Sequence, residues 1–122
     1  MGEINMAFMD EMLPETAEAF EKMRDTIFFQ DGELDRKTKE LIGVACSVLM
    51  RCQHCTNVHS QRAIDKGANK KEIAEAISVS MMVAAGSQLG WTNNLGKSVY
   101  DLIFEDKKPK ESVEGNGCSC EK

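Results

Sequence analysis

The chain has 122 residues, 42% of them hydrophobic and 29% charged, which is enough for one globular domain and too little for two. Its formal net charge of −5 argues against nucleic acid as a partner, because phosphate recognition needs clustered Lys and Arg. It contains no uninterrupted apolar run of about 18 residues, so no membrane-spanning segment is expected, and the N-terminus lacks the pattern of a secretory signal, so a cytoplasmic location is expected.

The first stretch, from Asn5 to Phe29, reads as helix. Pro14 suits a first helical turn, so a short helix or turn precedes a longer helix from Pro14 to Phe29. Ala17, Phe20, Met23, Ile27 and Phe28 give that helix one apolar face. Asp31-Gly32 breaks the pattern. Asp35 caps the next helix, Arg36 to Met50, with Leu41, Val44, Ala45, Val48 and Leu49 as its buried stripe. A tight junction at Arg51–His54 leads into a third helix that ends near Lys66, where Gly67 supplies a left-handed stop. Asn69 and Glu72 have the spacing of a capping box. The helix they open runs to about Ala85 and is apolar or small on nearly every side from Ile77 on, which calls for partners beyond a single core and hence for a homo-oligomer. Gly86 and Gly90 loosen the chain before a last helix, about Thr92 to Phe104. The architecture is an all-α compact bundle of about five helices over residues 1–105, followed by a flexible polar tail, 106–122, that ends in Cys118-Ser119-Cys120.

Five cysteines stand at 46, 52, 55, 118 and 120. Without an export signal, short-spaced cysteines read as redox thiols or metal ligands. Cys46, in an apolar helical stretch, reads as an inert buried thiol. In Cys52-Gln53-His54-Cys55-Thr56-Asn57-Val58-His59, a helical advance of about 100° per residue puts Cys52, Cys55 and His59 within about 60° of one another. Cys55 and His59, four apart, can touch. A free thiol near pKa 8.5 is mostly protonated at neutral pH. A helix N-terminus and an imidazole partner favour the thiolate, and a shift of about two units needs about 2.7 kcal/mol. The second thiol then closes a reversible disulfide. Glu40, twelve residues upstream on the preceding helix, could orient His59 if the two helices pack antiparallel, although alone it reads as a solvated charge. His54 points to the opposite side of an ideal helix.

The block from Leu34 to Gly86 resembles the alkylhydroperoxidase D / carboxymuconolactone decarboxylase family. The residues that carry the resemblance are Asp35-Arg36-Lys37-Thr38-Lys39-Glu40-Leu41-Ile42, the Cys52-x-x-Cys55-x-x-x-His59 motif, and Gly67-Ala68 followed by Glu72-Ile73-Ala74-Glu75-Ala76. It implies an all-helical oligomer (dimer, trimer or hexamer) that reduces hydroperoxides through a Cys52–Cys55 disulfide cycle, with no cofactor and no metal. It also implies a relay from Glu40 through His59 to Cys55, with His54 contributing. The electron donor is then a thiol or dithiol, to which the Cys118/Cys120 tail could belong. Two alternatives stand beside this reading. One is a cofactor-free decarboxylase of the γ-carboxymuconolactone type using His59 and Glu40. The other is a metal-binding oligomer in which Cys52, Cys55, Cys118 and Cys120 form a four-thiolate zinc set.

Overall fold

The computed structural model describes residues 5–93, and these form five helices and no strand. They are α1 (Ala7–Met12), α2 (Pro14–Phe28), α3 (Arg36–Leu49), α4 (Gln53–Asp65) and α5 (Lys70–Thr92). The chain divides into two units, one up to Ser80 and one from Met81 on. The bundle of α1–α4 and the start of α5 belongs to the first. The helix expected over Thr92–Phe104, the boundary at residue 105 and the Cys118/Cys120 pair lie outside the described residues, apart from Thr92 and Asn93.

Local chemistry fixes most of the helix ends. Pro14 opens α2, where its missing N–H costs nothing. Asp35 Oδ1 accepts the Thr38 N–H at 2.7 Å and caps α3. Asn69 and Glu72 form the reciprocal box, with Glu72 N–H donating to Asn69 Oδ1 at 2.8 Å and Asn69 N–H donating to Glu72 Oε1 at 3.0 Å. The Lys37 ammonium also meets Glu72 at 2.9 Å and ties the start of α5 to α3. The Thr38 N–H, then its hydroxyl, holds the Asp35 carboxyl below its ordinary pKa. Lys37, then the Asn69 N–H, does the same for Glu72, and Glu72 raises Lys37. A carboxylate with a lowered pKa stabilises the fold above the ordinary carboxylate range, and that contribution is lost as pH falls through its folded value. The Lys37 contribution is lost only at strongly alkaline pH. The melting temperature is therefore expected to drop on acidification below the ordinary carboxylate range. Combining Asp35→Asn with Glu72→Gln should flatten that dependence in thermal melts.

The same stop motif ends α3 and α4. In α4, Gly67 takes φ +100°, with Ala68 N–H donating to Ala63 O at 2.9 Å and Gly67 N–H to Ile64 O at 2.9 Å. In α3, Arg51 takes the left-handed place at φ 56°, with Cys52 N–H donating to Ser47 O and Arg51 N–H to Val48 O, both at 3.0 Å. A non-glycine residue there costs about 1–2 kcal/mol, and it delivers Cys52 directly as the cap of α4.

The short junction folds α4 back onto α3, and this contact differs from the expected stripe. The buried residues of α3 are Glu40, Gly43, Val44 and Ser47. Leu49, expected inside, is 43% exposed, and Cys46, expected to be a buried thiol, is exposed. Around the helix they stand about 180° and about 120° from Glu40. A polar line can be buried here because its groups find partners: Ser47 Oγ donates to Gly43 O at 2.6 Å, and Glu40 meets His59 at 2.7 Å.

Two further expectations change. Helix α5 does not end near Ala85 but continues through Gly86 and Gly90 to Thr92. An isolated helical glycine costs about 1 kcal/mol, which the flanking helix formers Ala84, Ala85, Gln88 and Leu89 can absorb. The merged helix is long and apolar enough on average to cross a membrane, but Glu75, Ser78, Ser80, Ser87 and Gln88 interrupt it, and Ser80 Oγ donates to Ala45 O of α3 at 2.6 Å. The apolar face of α2 is also only partly covered: Ala17 is buried, whereas Phe20, Met23 and Ile27 are exposed.

Candidate active site

Cys52 and Cys55 form a disulfide at the N-terminus of α4. Cys52 is the helix cap, and its sulfur accepts the Cys55 N–H at 3.2 Å. That amide is one of the four that a helix start leaves without an intrahelical partner. The first turn of α4 thus presents both amide donors and the positive end of its dipole to sulfur.

One turn further on, His59 is clamped from three sides. Its Nδ1 lies 2.7 Å from Glu40 Oε1, whose residue is 1% exposed. The Phe28 ring lies against the imidazole at 4.8 Å between centroids, tilted by 34°. Gly43 forms the third wall. A Cβ built on Gly43 would stand 2.8 Å from Nδ1 and 2.9 Å from Cγ of His59, so the imidazole rests on bare backbone. With a carboxylate on Nδ1, the proton stays on that nitrogen, and Nε2 is left as the basic one. Arg62, one turn beyond His59, brings Nη1 to 3.9 Å from Glu40 Oε2.

A pocket of about 250 Å3 opens beside these groups between α2 and α4. Cys55, His54, His59 and Arg62 line it from α4, and Phe20, Met23, Ile27 and Phe28 from α2. Cys52 is not among its lining residues. The structure thus brings Glu40 to His59, and places Cys55, His54 and His59 on one pocket. His54 is exposed at its edge rather than turned away from it. Among the described residues no group of three or more His, Cys, Asp and Glu could hold a metal ion, and a four-cysteine set would need Cys118 and Cys120, outside those residues.

Sequence reasoning missed Gly43 and Arg62. A lone glycine inside a helical pattern signals a close approach, and that signal was available at Gly43. Nothing in the sequence marks Arg62. Gly43→Ala should push the pinned imidazole away. We expect a net loss of about 1 kcal/mol in a thermal melt, with overpacking outweighing the gain in helix propensity. A displacement of about 1 Å should also cost about a hundredfold in thiol reactivity, read as the rate of Cys55 oxidation.

Residues 14–93 match the carboxymuconolactone decarboxylase family. The chain is 33% identical over 99 residues to an uncharacterized protein of the cox locus of Paracoccus denitrificans, covering 76% of this chain and 89% of that one. It is 33% identical over 66 residues to the alkyl hydroperoxide reductase AhpD of Corynebacterium aurimucosum, covering 54% of this chain but only 37% of that relative. A crystal structure of a protein from Methanobacterium thermoautotrophicum superposes with a TM-score of 0.61 at 37% identity, covering 77% of this chain and 96% of that one.

Proposed function

The chain belongs to the carboxymuconolactone decarboxylase family, and within it we propose that this protein is a dithiol peroxidase that reduces hydroperoxides at Cys55. The observation that carries this reading is that one sulfur of the Cys52–Cys55 disulfide lines the same pocket as an imidazole held by a buried carboxylate.

In the reduced protein, His59 Nε2 takes the proton of Cys55. The thiolate attacks the outer oxygen of ROOH, the O–O bond breaks, and the departing alkoxide leaves as ROH with the proton from His59. Cys55 becomes a sulfenic acid. Cys52 passes its proton to the now neutral His59, attacks the Cys55 sulfur as a thiolate favoured by the helix start, and expels hydroxide, which takes that proton back from His59 and leaves as water. The balance is two thiols and one ROOH to one disulfide, ROH and water. An external thiol or dithiol restores the pair. Glu40 acts as a positioning residue that orients and polarises His59. His54, at the pocket edge, can donate a hydrogen bond to the peroxide.

The test uses the fully reduced chain and cumene hydroperoxide. One equivalent should be consumed per chain, with matching loss of the Cys52 and Cys55 thiols by labelling and mass spectrometry. No consumption, or consumption without that disulfide, rejects the reading. A lactone decarboxylation by His59 and Glu40 separates cleanly, because it would survive loss of both cysteines.

The reading includes self-association. Along α5, Val79, Met81, Met82 and Val83 are all more than half exposed. Exposed apolar clusters of this kind mark interaction surfaces. Sedimentation at micromolar concentration should show a dimer or larger, and Val79→Glu should shift it towards monomer.

A further inference from the structure

The thiol scheme leaves one kind of reactive group at the pocket unused. The chain has eight methionines, and two of them, Met6 and Met23, line the pocket beside Cys55. Met6 caps the short helix α1. Met23 stands within α2, with Phe20 and Ile27 of the same pocket wall one turn to either side. A thioether carries no proton, so it needs no base to act as a nucleophile, and peroxide takes it to the sulfoxide.

Exposure alone does not single out Met23. It is 55% exposed, against 60% for Met12, 65% for Met81, 72% for Met82 and 78% for Met50. By access to peroxide in bulk solvent, Met23 is the slowest of these five. By surroundings it is the fastest. Phe20, Ile27, Phe28 and Val58 give the pocket an apolar lining, which holds a hydroperoxide that carries an organic group. His54 and His59 line the same space, where an imidazolium can hand a proton to a departing oxygen. Met12, Met50, Met81 and Met82 are not among the lining residues.

From this we infer that Met23 is a modification site, oxidised to the sulfoxide by organic hydroperoxides once the cysteine pair is already a disulfide. The inference rests on the peroxidase reading only in that hydroperoxides enter this pocket. The Met23 sulfur attacks the outer oxygen of ROOH, the O–O bond breaks, and the alkoxide leaves as ROH with a proton from a pocket imidazolium. The hydroxysulfonium then returns its proton to that imidazole. The balance is one thioether and one ROOH to one sulfoxide and ROH. With both thiols spent, the thioether supplies two more electrons. The product also changes the wall, because a polar S–O group replaces an apolar sulfur and weakens the hold on apolar peroxides.

The experiment treats the full-length chain, its disulfide closed, with cumene hydroperoxide and follows sulfoxides by peptide mass spectrometry. No thiol turnover takes part in this arm. Met23 is expected to oxidise about tenfold faster than Met50, a small share of the effective concentration that a bound reactant reaches. An excess of the product alcohol, 2-phenyl-2-propanol, should slow Met23 and leave Met50 unchanged. In the guanidinium-unfolded chain the two should react alike. A folded-chain rate for Met23 no higher than for Met50, or a lead that survives the alcohol or unfolding, overturns the inference. A second arm reduces the treated chain with dithiothreitol to restore the cysteine pair. KM for cumene hydroperoxide should then stand about fourfold above that of untreated chain, the scale of burying one methylene, and Met23→Leu should show no such rise. An unchanged KM removes the effect on uptake. Absence of turnover in treated and untreated chain alike rejects the peroxidase reading, while the peptide map still decides the Met23 site.

Discussion

Cys55→Ser is expected to lower steady-state peroxide turnover by at least about a thousandfold and to abolish the first turnover as well. The reason is positional: Cys55 lines the pocket, and Cys52 does not. Cys52→Ser should behave differently. Its reduced form should still consume one equivalent of hydroperoxide in a single burst. Cys55 then stays as a sulfenic acid that a dimedone-type reagent traps, and turnover stops because the sulfur at the helix cap is missing. Quenched-flow consumption with mass spectrometry of the trapped adduct reads both results. The reverse pattern, a burst in Cys55→Ser and none in Cys52→Ser, would invert the roles of the two sulfurs. A burst in both would remove the pair from the chemistry.

Glu40→Ala should carry the second-largest effect, and it should act on stability and rate together. The Glu40 carboxylate is 1% exposed, bonds His59 Nδ1 at 2.7 Å and faces Arg62 at 3.9 Å. Removing it leaves an imidazole nitrogen and a guanidinium without that partner in a largely buried place. Breaking a buried charged pair from one side costs about 3–5 kcal/mol. Rate should fall through His59, whose ring would lose both its orientation and the carboxylate that keeps the proton on Nδ1. Loss of a positioned base costs about 10²–10⁴-fold. Glu40→Gln keeps the shape and a hydrogen bond, so it should recover most of the stability while keeping most of the rate defect. Alkylation of Cys55 by iodoacetamide at pH 7, in the Cys52→Ser background, isolates the rate effect. A folded Glu40→Gln protein that alkylates as fast as its parent would take Glu40 out of the relay.

The effects of Cys55 and Glu40 differ in how they could be anticipated. The Cys52-x-x-Cys55-x-x-x-His59 spacing is local to one helix, and helical geometry alone puts the three groups on one side. Glu40 is on another helix, and its meeting with His59 depends on how α3 and α4 cross. That crossing is set by Gly43, where a missing Cβ admits the imidazole, and by the left-handed turn at Arg51. Of the expected stripe through Leu41, Val44, Ala45, Val48 and Leu49, Val44 is fully buried, Leu41, Ala45 and Val48 are half-buried, and only Leu49 is exposed. The stripe is displaced because the contact also buries Glu40, Gly43 and Ser47 and leaves Leu49 and Cys46 on the outside.

The amino-acid sequence alone determined the elements whose causes lie within a few residues: the caps at Asp35 and Asn69, the stop at Gly67, the proline start of α2, the all-helical class and the cysteine pair. These follow from backbone hydrogen bonds and side chains one turn apart, so no distant contact can easily change them. Tertiary packing decided which sulfur faces a pocket, which face of α3 is buried, that α5 continues through two glycines, and that Met23 shares a pocket with Cys55. Each of these turns on groups far apart in the chain, and side-chain pattern carries no record of which distant partner will satisfy a polar atom or fill a gap.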